Sequence, residues 1–240
     1  MKKQVLILMA AVVFASCSDS SSDEFDNANG NVAQKYLSKL QVIPSDASEE
    51  TSIVNFYYNS DNTLNRISDG YENAQFAYQN NKLNNVTGDG EPYAISELYQ
   101  APFKGYEVGK VLNYDSKGNP TEIRLFQDGV QTSEDFIAQI TYDNAPNTLF
   151  YTMKAAGIID VLDNTEISMN FSAPREIIKA KLLLPVNNVV KVVIKNSRGV
   201  ITDESVSAYV YDADNYPTSS TITTTSENEI SVEKVYYQYR

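Results

Sequence analysis

The sequence predicts an all-β protein: an antiparallel up-and-down meander of hairpins forming a strongly curved sheet or open barrel, with a short helical insertion near residues 149–184. Three observations predict it. An alternating run ending in tyrosine, a polar turn and a second alternating run recur five times: "FYYNSDNTLNRIS" from Phe56, "FAYQNNKLNNVT" from Phe76, "LNYDSKGNPTEIRL" from Leu112, "ITYDNAPNTLF" from Ile140 and "YVYDADNYPTSSTI" from Tyr209. The turns are built from Asn, Asp, Gly and Pro, which tolerate left-handed backbone or preset φ. The flanks alternate with period two: Ile123 and Leu125 with Glu122 and Arg124, and Val235, Tyr237 and Tyr239 with Lys234, Tyr236 and Gln238. Such alternation places one face against a core and the other in water.

Taken in chain order, residues 1–16 read as a secretory signal peptide. Lys2 and Lys3 precede an apolar run, Val5 to Ala15, that is too short to span a bilayer, which needs about 20 residues. The chain's one cysteine, Cys17, follows directly. An intramolecular disulfide is therefore impossible, and a free thiol in an exported protein is a reactive liability. Residues 17–35 are rich in Ser, Asn and Asp and are expected to be a disordered tether averaging roughly 20–25 Å in span. Residues 36–240 are enough for a single β-rich domain with a sizeable core.

Within that domain the interval between Tyr142 and Tyr211 carries no hairpin unit. "LFYTMKAAGIIDVL" from Leu149 and "SAPREIIKAKLLLP" from Ser172 are poor in turn residues, and each predicts a short helix. In the second, Ser172 serves as cap, Pro174 suits the first turn and Pro185 ends the run. Strands resume around the "NSRG" turn at Asn196, and "ISVEKVYYQYR" from Ile230 closes the sheet by pairing.

Two local motifs carry resemblances. "FASC" at Phe14 to Cys17 resembles the bacterial lipoprotein lipobox, which implies a diacylated cysteine sulfur and an acylated new amine. Three acyl chains, at about 0.8 kcal/mol per buried methylene, hold a protein to a membrane essentially permanently. The following "SDSSSDE" resembles the signal that sends Bacteroidota lipoproteins to the outer face of the outer membrane. The hairpin units resemble tyrosine–aspartate (YD, or Rhs-like) repeats. They resemble still more closely Bacteroidota lipoproteins of unknown function with a porin-like fold, at Tyr114-Asp115 with Gly118 to Pro120, Tyr142-Asp143 with Pro146, and Tyr211-Asp212 with Pro217. That resemblance implies an architecture and transfers no catalytic residue.

Composition narrows the chemistry. The formal charge is −12, and loss of residues 1–16 takes two lysines and no acid, leaving −14. This argues against nucleic acid, where Lys and Arg neutralise phosphate, and against a polybasic membrane patch. There is no histidine, so Ser-His-Asp and Cys-His catalysis and His-ligated zinc are excluded. Asp128, Glu134 and Asp135 leave room for a carboxylate pair acting on polysaccharide, although acids in so acidic a chain are usually solvated. "NSDN" at Asn59 and "DADN" at Asp212 offer alternating oxygens for calcium, but turn formation explains both without metal, and no cofactor is expected. Among the 17 tyrosines, Tyr236 and Tyr237 in "YYQY", or Tyr57 in "FYY", offer a candidate ligand-stacking surface, with strand packing as the competing role.

The expectation is a lipid-anchored, non-enzymatic binding or structural component of the outer membrane, on either its cell-surface or its periplasmic face. Its membrane contact runs through Cys17, and its partner is a glycan, another surface polymer or an outer-membrane protein. A polysaccharide hydrolase and a docking subunit are the alternatives.

Overall fold

A computed structural model of the chain describes residues 20–46, 48–88, 92–99, 109–125, 135–168, 177–226 and 229–240. Among them thirteen strands make one antiparallel sheet. The first half supplies β1 (Leu37–Pro44), β2 (Ser52–Tyr58), β3 (Leu64–Ser68), β4 (Asn73–Gln79), β5 (Lys82–Thr87), β6 (Tyr93–Ala94), β7 (Gly109–Tyr114), β8 (Pro120–Leu125) and β9 (Phe136–Pro146). A ribbon, β10 (Glu166–Ser168) with β11 (Ile177–Lys179), stands apart. The main sheet then resumes with β12 (Asn187–Lys195), β13 (Ile201–Tyr211), β14 (Pro217–Ser226) and β15 (Glu229–Tyr239).

The strand order is β6-β5-β4-β3-β2-β1-β15-β14-β13-β12-β9-β8-β7, so the meander starts and finishes in the middle of the sheet, where β1 pairs with β15. The Arg240 amide donates to the Tyr36 carbonyl (2.9 Å) and extends that seam. The expected antiparallel meander is therefore the observed fold. The turn residues explain why: Asn62, Asn80, Asn81 and Asn215 all hold positive φ (68°, 53°, 61°, 62°), the left-handed geometry that Asn tolerates and a tight hairpin needs.

Residues opposite one another across a ladder share a face. Val235 faces Val42 and Ser220, and with Tyr237 and Tyr239 it lies on the face that receives the helices. Lys234, Tyr236 and Gln238 point to the outer face.

The helical insertion comprises α3 (Phe150–Ala155) and α4 (Ile158–Asn164), with α2 (Ile95–Leu98) beside β6. The segment from Leu149 breaks in two at Gly157, whose φ is +74° and whose missing Cβ would sit 3.0 Å from Leu83 Cβ. Only glycine fits that bend. The second predicted helix, from Ser172 to Pro185, is corrected: its described part is β11 followed by the 3-10 turn Ala180–Leu183, and residues 172–176 lie outside the described residues. Ile177 and Ile178 are β-branched and pair with Ser168 and Ile167, which a helix would forgo.

The disordered tether is also corrected in part, because Ser21–Asn29 forms a helix, α1. Ser20 and Asp23 make a reciprocal capping box, and Phe25, fully buried, stacks on Phe150 at 3.7 Å between centroids. A core of Phe25, Phe150, Tyr151, Ile159, Val186 and Tyr216 results. Cys17 lies outside the described residues.

Candidate functional site

Alternate ends of the strands differ sharply, and the difference marks out a candidate site. At one end, the tyrosine end, a single device recurs. Near the close of a strand a tyrosine hydroxyl donates to a carbonyl at or near the start of its neighbour: Tyr58 to Leu37 (2.6 Å), Tyr78 to Leu64 (2.7 Å), Tyr142 to Pro120 (2.8 Å), Tyr209 to Val189 (3.0 Å) and Tyr239 to Pro217 (2.8 Å). Burial pushes Tyr78 and Tyr209 up to about 12 and raises Tyr142 and Tyr239 further. Tyr58, Tyr78 and Tyr142 are three of the five tyrosines of the repeated unit, so at these units the repeat encodes a clasp between strands.

The same end holds a buried amide network. Asn119, with no exposed surface, donates to Asp115 (2.9 Å) and Asn187 (3.1 Å) and accepts from the Val186 amide (2.8 Å). Asn187, equally buried, donates to the Ala145 carbonyl (2.9 Å) and to Asn29 of α1 (3.0 Å). Asn188 accepts from the Thr148 amide and hydroxyl (both 2.9 Å), and Tyr211 donates to Asp143.

The metal-like turns are occupied by protein. In "DADN", Asp212 accepts from the Asp214 and Tyr216 amides, while Lys35 Nζ sits 2.6 Å from Asp212 and 2.7 Å from Asp214. Burial pushes the Asp212 carboxyl up, but Lys35 and the two amides outweigh it and hold the group below its ordinary value. In "NSDN", Asp61 accepts from the Thr63 amide and hydroxyl (3.0 and 2.7 Å). Both are turns closed by their own side chains.

At the opposite, far end, among the described residues, the helices stop and none lies over the helix-bearing face. Three clefts open there. One of about 480 Å³ is lined by Phe136, Ile201, Asp203, Thr225 and Ser226 among others. A second, of about 360 Å³, is bounded by Pro44, Ser226, Glu229, Ser231 and Glu233, and a third, of about 310 Å³, by Val54, Ile67 and Ala74. Ser226 lines the first two.

Register explains this chemistry. Across β13 and β14, Asp203 faces Ser226 and Ser205 faces Thr224, with hydroxyl bonds of 2.6 and 3.3 Å. On β12 and β9 the same rungs continue as Ile194 to Ala138 and Val192 to Ile140. A strip of hydroxyls and a carboxylate thus runs beside aliphatic strands.

The three candidate tyrosines do not form one platform. Tyr57 and Tyr236 are each 42% exposed on the outer face, but Tyr236 is opposite Gln41, which is opposite Ile53, four residues along β2 from Tyr57. The Arg66 guanidinium covers the Tyr57 ring at 4.2 Å. Tyr237 lies on the helix-bearing face, its hydroxyl 3.1 Å from Ser220. Of the candidate acids, Asp128 and Glu134 lie outside the described residues, and Asp135 is 4.0 Å from Arg124. Sequence reasoning missed the far-end strip and the docking of α1. The capping pair Ser20 and Asp23 ahead of Phe25 was a usable signal for the second.

No family model matches the chain, and no curated protein does. Among solved structures it is similar to a porin-like protein from Bacteroides uniformis, at 12% identity and a TM-score of 0.37 over 85% of this chain and 96% of that one. A porin-like protein from Bacteroides vulgatus is similar at 11% identity and TM-score 0.38, over 86% and 99%. A LolA superfamily protein from Nitrosomonas europaea shares 9% identity at TM-score 0.27, over 92% of each chain.

Proposed function

We propose that this chain is a non-catalytic binding module of the bacterial outer membrane, held by lipid on Cys17 and standing on the bilayer rather than in it. The observation that carries this reading is the asymmetry of the sheet. The end bearing α1 is closed by helices, while clefts line the far end of the same face among the described residues. The cap of α1, Ser20, is three residues after Cys17, a reach of at most about 11 Å. The anchor therefore draws the tyrosine end to the headgroups. β13, with eleven residues, carries its far end about 37 Å away.

The outer face supports anchoring over spanning. Lys39, Arg66, Glu122, Arg124, Lys191, Glu204 and Lys234 all lie on it, opposite neighbours that share that face. A membrane-spanning barrel needs an apolar band about 25 Å tall, and each Arg or Lys at its midplane costs about 2–4 kcal/mol.

The ligand class is a glycan or another surface polymer. Phe136 and Ile201 offer an apolar wall to a sugar ring, and Asp203 and Ser226 offer acceptors and donors to its hydroxyls. Equilibrium binding of envelope and dietary polysaccharides to the purified chain tests this. Phe136→Ala and Asp203→Asn should each weaken binding about tenfold or more. Loss on Tyr236→Ala with both far-end variants unaffected would move the site to the outer face, and turnover of a bound polysaccharide would replace binding with hydrolysis. A second reading, docking of an outer-membrane protein, is favoured by Ile230, Val200 and Ile201, which are 69%, 57% and 53% exposed at the far end. Co-purification of a defined envelope partner, lost on Ile230→Glu, would select it.

A further inference from the structure

We propose that α1 is a latch, a segment that leaves the body as a unit while the sheet stays folded. Its release lengthens the link between Cys17 and the domain. The consequence at a membrane rests on the lipid reading of Cys17, whereas the release itself does not.

Among the described residues, each polar link between α1 and the body has a side chain on at least one side, and none is a strand-pairing bond. Phe25 stacks on Phe150 and meets Tyr151 edge-on at 5.5 Å. The Ser21 amide and hydroxyl donate to the Asp163 carboxylate, the hydroxyl at 2.6 Å, and Lys181 Nζ lies 2.8 Å from Glu24. Asn29 donates to the Val186 carbonyl at 3.0 Å and accepts from Asn187. Among the described residues, strand pairing begins only at Tyr36 and Leu37, so α1 can depart without breaking a ladder bond. The neighbouring helices are tied differently. Thr152 of α3 accepts the Leu37 backbone amide (2.9 Å), and the Ala155 carbonyl accepts the Tyr78 hydroxyl (3.3 Å). Both α3 and α4 also lie in the chain between β9 and β12.

Once released, α1 does not persist as a helix. It has nine residues, whereas isolated helices shorter than about 12–15 are marginal in water, and its last turn carries no basic residue to offset the dipole. The released state is therefore the flexible tether that the composition of residues 17–35 dictates. Docked, Cys17 lies within about 11 Å of the Ser20 cap. Released, the 20 residues from Cys17 to Tyr36 average about 24 Å. Release uncovers Phe150, Tyr151, Ile159, Val186 and Tyr216, and this apolar recess is what pulls the latch shut again.

Native-state hydrogen exchange on the full-length chain tests the proposal. Amides of residues 21–29 should exchange through a local opening at least about tenfold faster than those of β1, β13 and β15. Phe25→Ala should speed exchange in that segment at least tenfold more and leave the strands unchanged. If Phe25→Ala folds poorly, Lys181→Met should raise the same segment's exchange severalfold with the strands intact. Exchange of α1 in step with the strands in the unaltered chain, or either substitution opening the strands equally, overturns the latch. The mass of the Cys17 peptide from native membranes reads the anchor separately. An unmodified thiol there overturns the lipid reading and leaves the exchange result standing.

Discussion

The two ends of the sheet are made of the same strands and differ in almost everything else. At the tyrosine end each hairpin turns on Asn or Asp side chains, hydroxyls clasp neighbouring strands, and Asn119 and Asn187 are wholly buried beneath helices. At the far end Ile230, Val200 and Tyr71 project into solvent and three clefts stand open. Structural stability and, in the proposed function, ligand access are thus divided along the strand axis, with the polar network specifying the closed end. Buried polar groups are costly unless fully bonded, so that end tolerates little change and the open end tolerates much.

Substitutions graded along the axis should expose that division. The largest effect is expected for Asn119→Ala, which strands the Val186 amide and frees Asp115 and Asn187: a loss of about 3 kcal/mol or more in urea unfolding. A network dispensable to the fold would lose far less.

Next come Tyr142→Phe and Tyr239→Phe, each leaving a carbonyl with one acceptor bond fewer and each costing about 1 kcal/mol. The clasp also predicts an alkaline limit. Tyr78 and Tyr209 titrate near 12 in the fold against 10.0 when free, so the unfolded chain loses these protons first as pH rises. Their contribution is complete below about pH 10 and is lost as pH climbs toward about 12. In a stability profile, Tyr78→Phe with Tyr209→Phe should flatten that decline.

A smaller effect, about 1 kcal/mol, is expected for Lys35→Met, which leaves Asp212 and Asp214 facing each other without a cation. Because Asp212 lies below its ordinary value in the fold, its contribution is present above about pH 4 and lost as pH falls through the lowered value. Lys35→Met should shrink that acid step. The smallest effect is at the far end, where Ile230→Ser and Val200→Ser should stay within about 0.5 kcal/mol.

How much of this the sequence revealed follows from the range of each interaction. Hairpins were readable because a left-handed turn demands Asn or Gly within a few residues, as at Asn62, Asn215 and Gly118. The helix break at Gly157 was not, since it answers to Leu83, which lies on a distant strand. Averaged composition hid α1, because one aromatic, Phe25, supplies most of its docking among polar neighbours. The separation of the two candidate tyrosine surfaces was hidden for a related reason. Whether Tyr57 and Tyr236 adjoin depends on the β1 register with both β2 and β15, and the second pairing joins residues nearly two hundred apart.

The most direct test of the account measures which end rests on the bilayer. With native lipid on Cys17, a fluorophore placed by Ser60→Cys at the tyrosine end or by Glu229→Cys at the far end can be compared in vesicles carrying a headgroup quencher. Strong quenching at position 60 and little at position 229 is the predicted result. Quenching at position 229 equal to or greater than that at position 60 would contradict it.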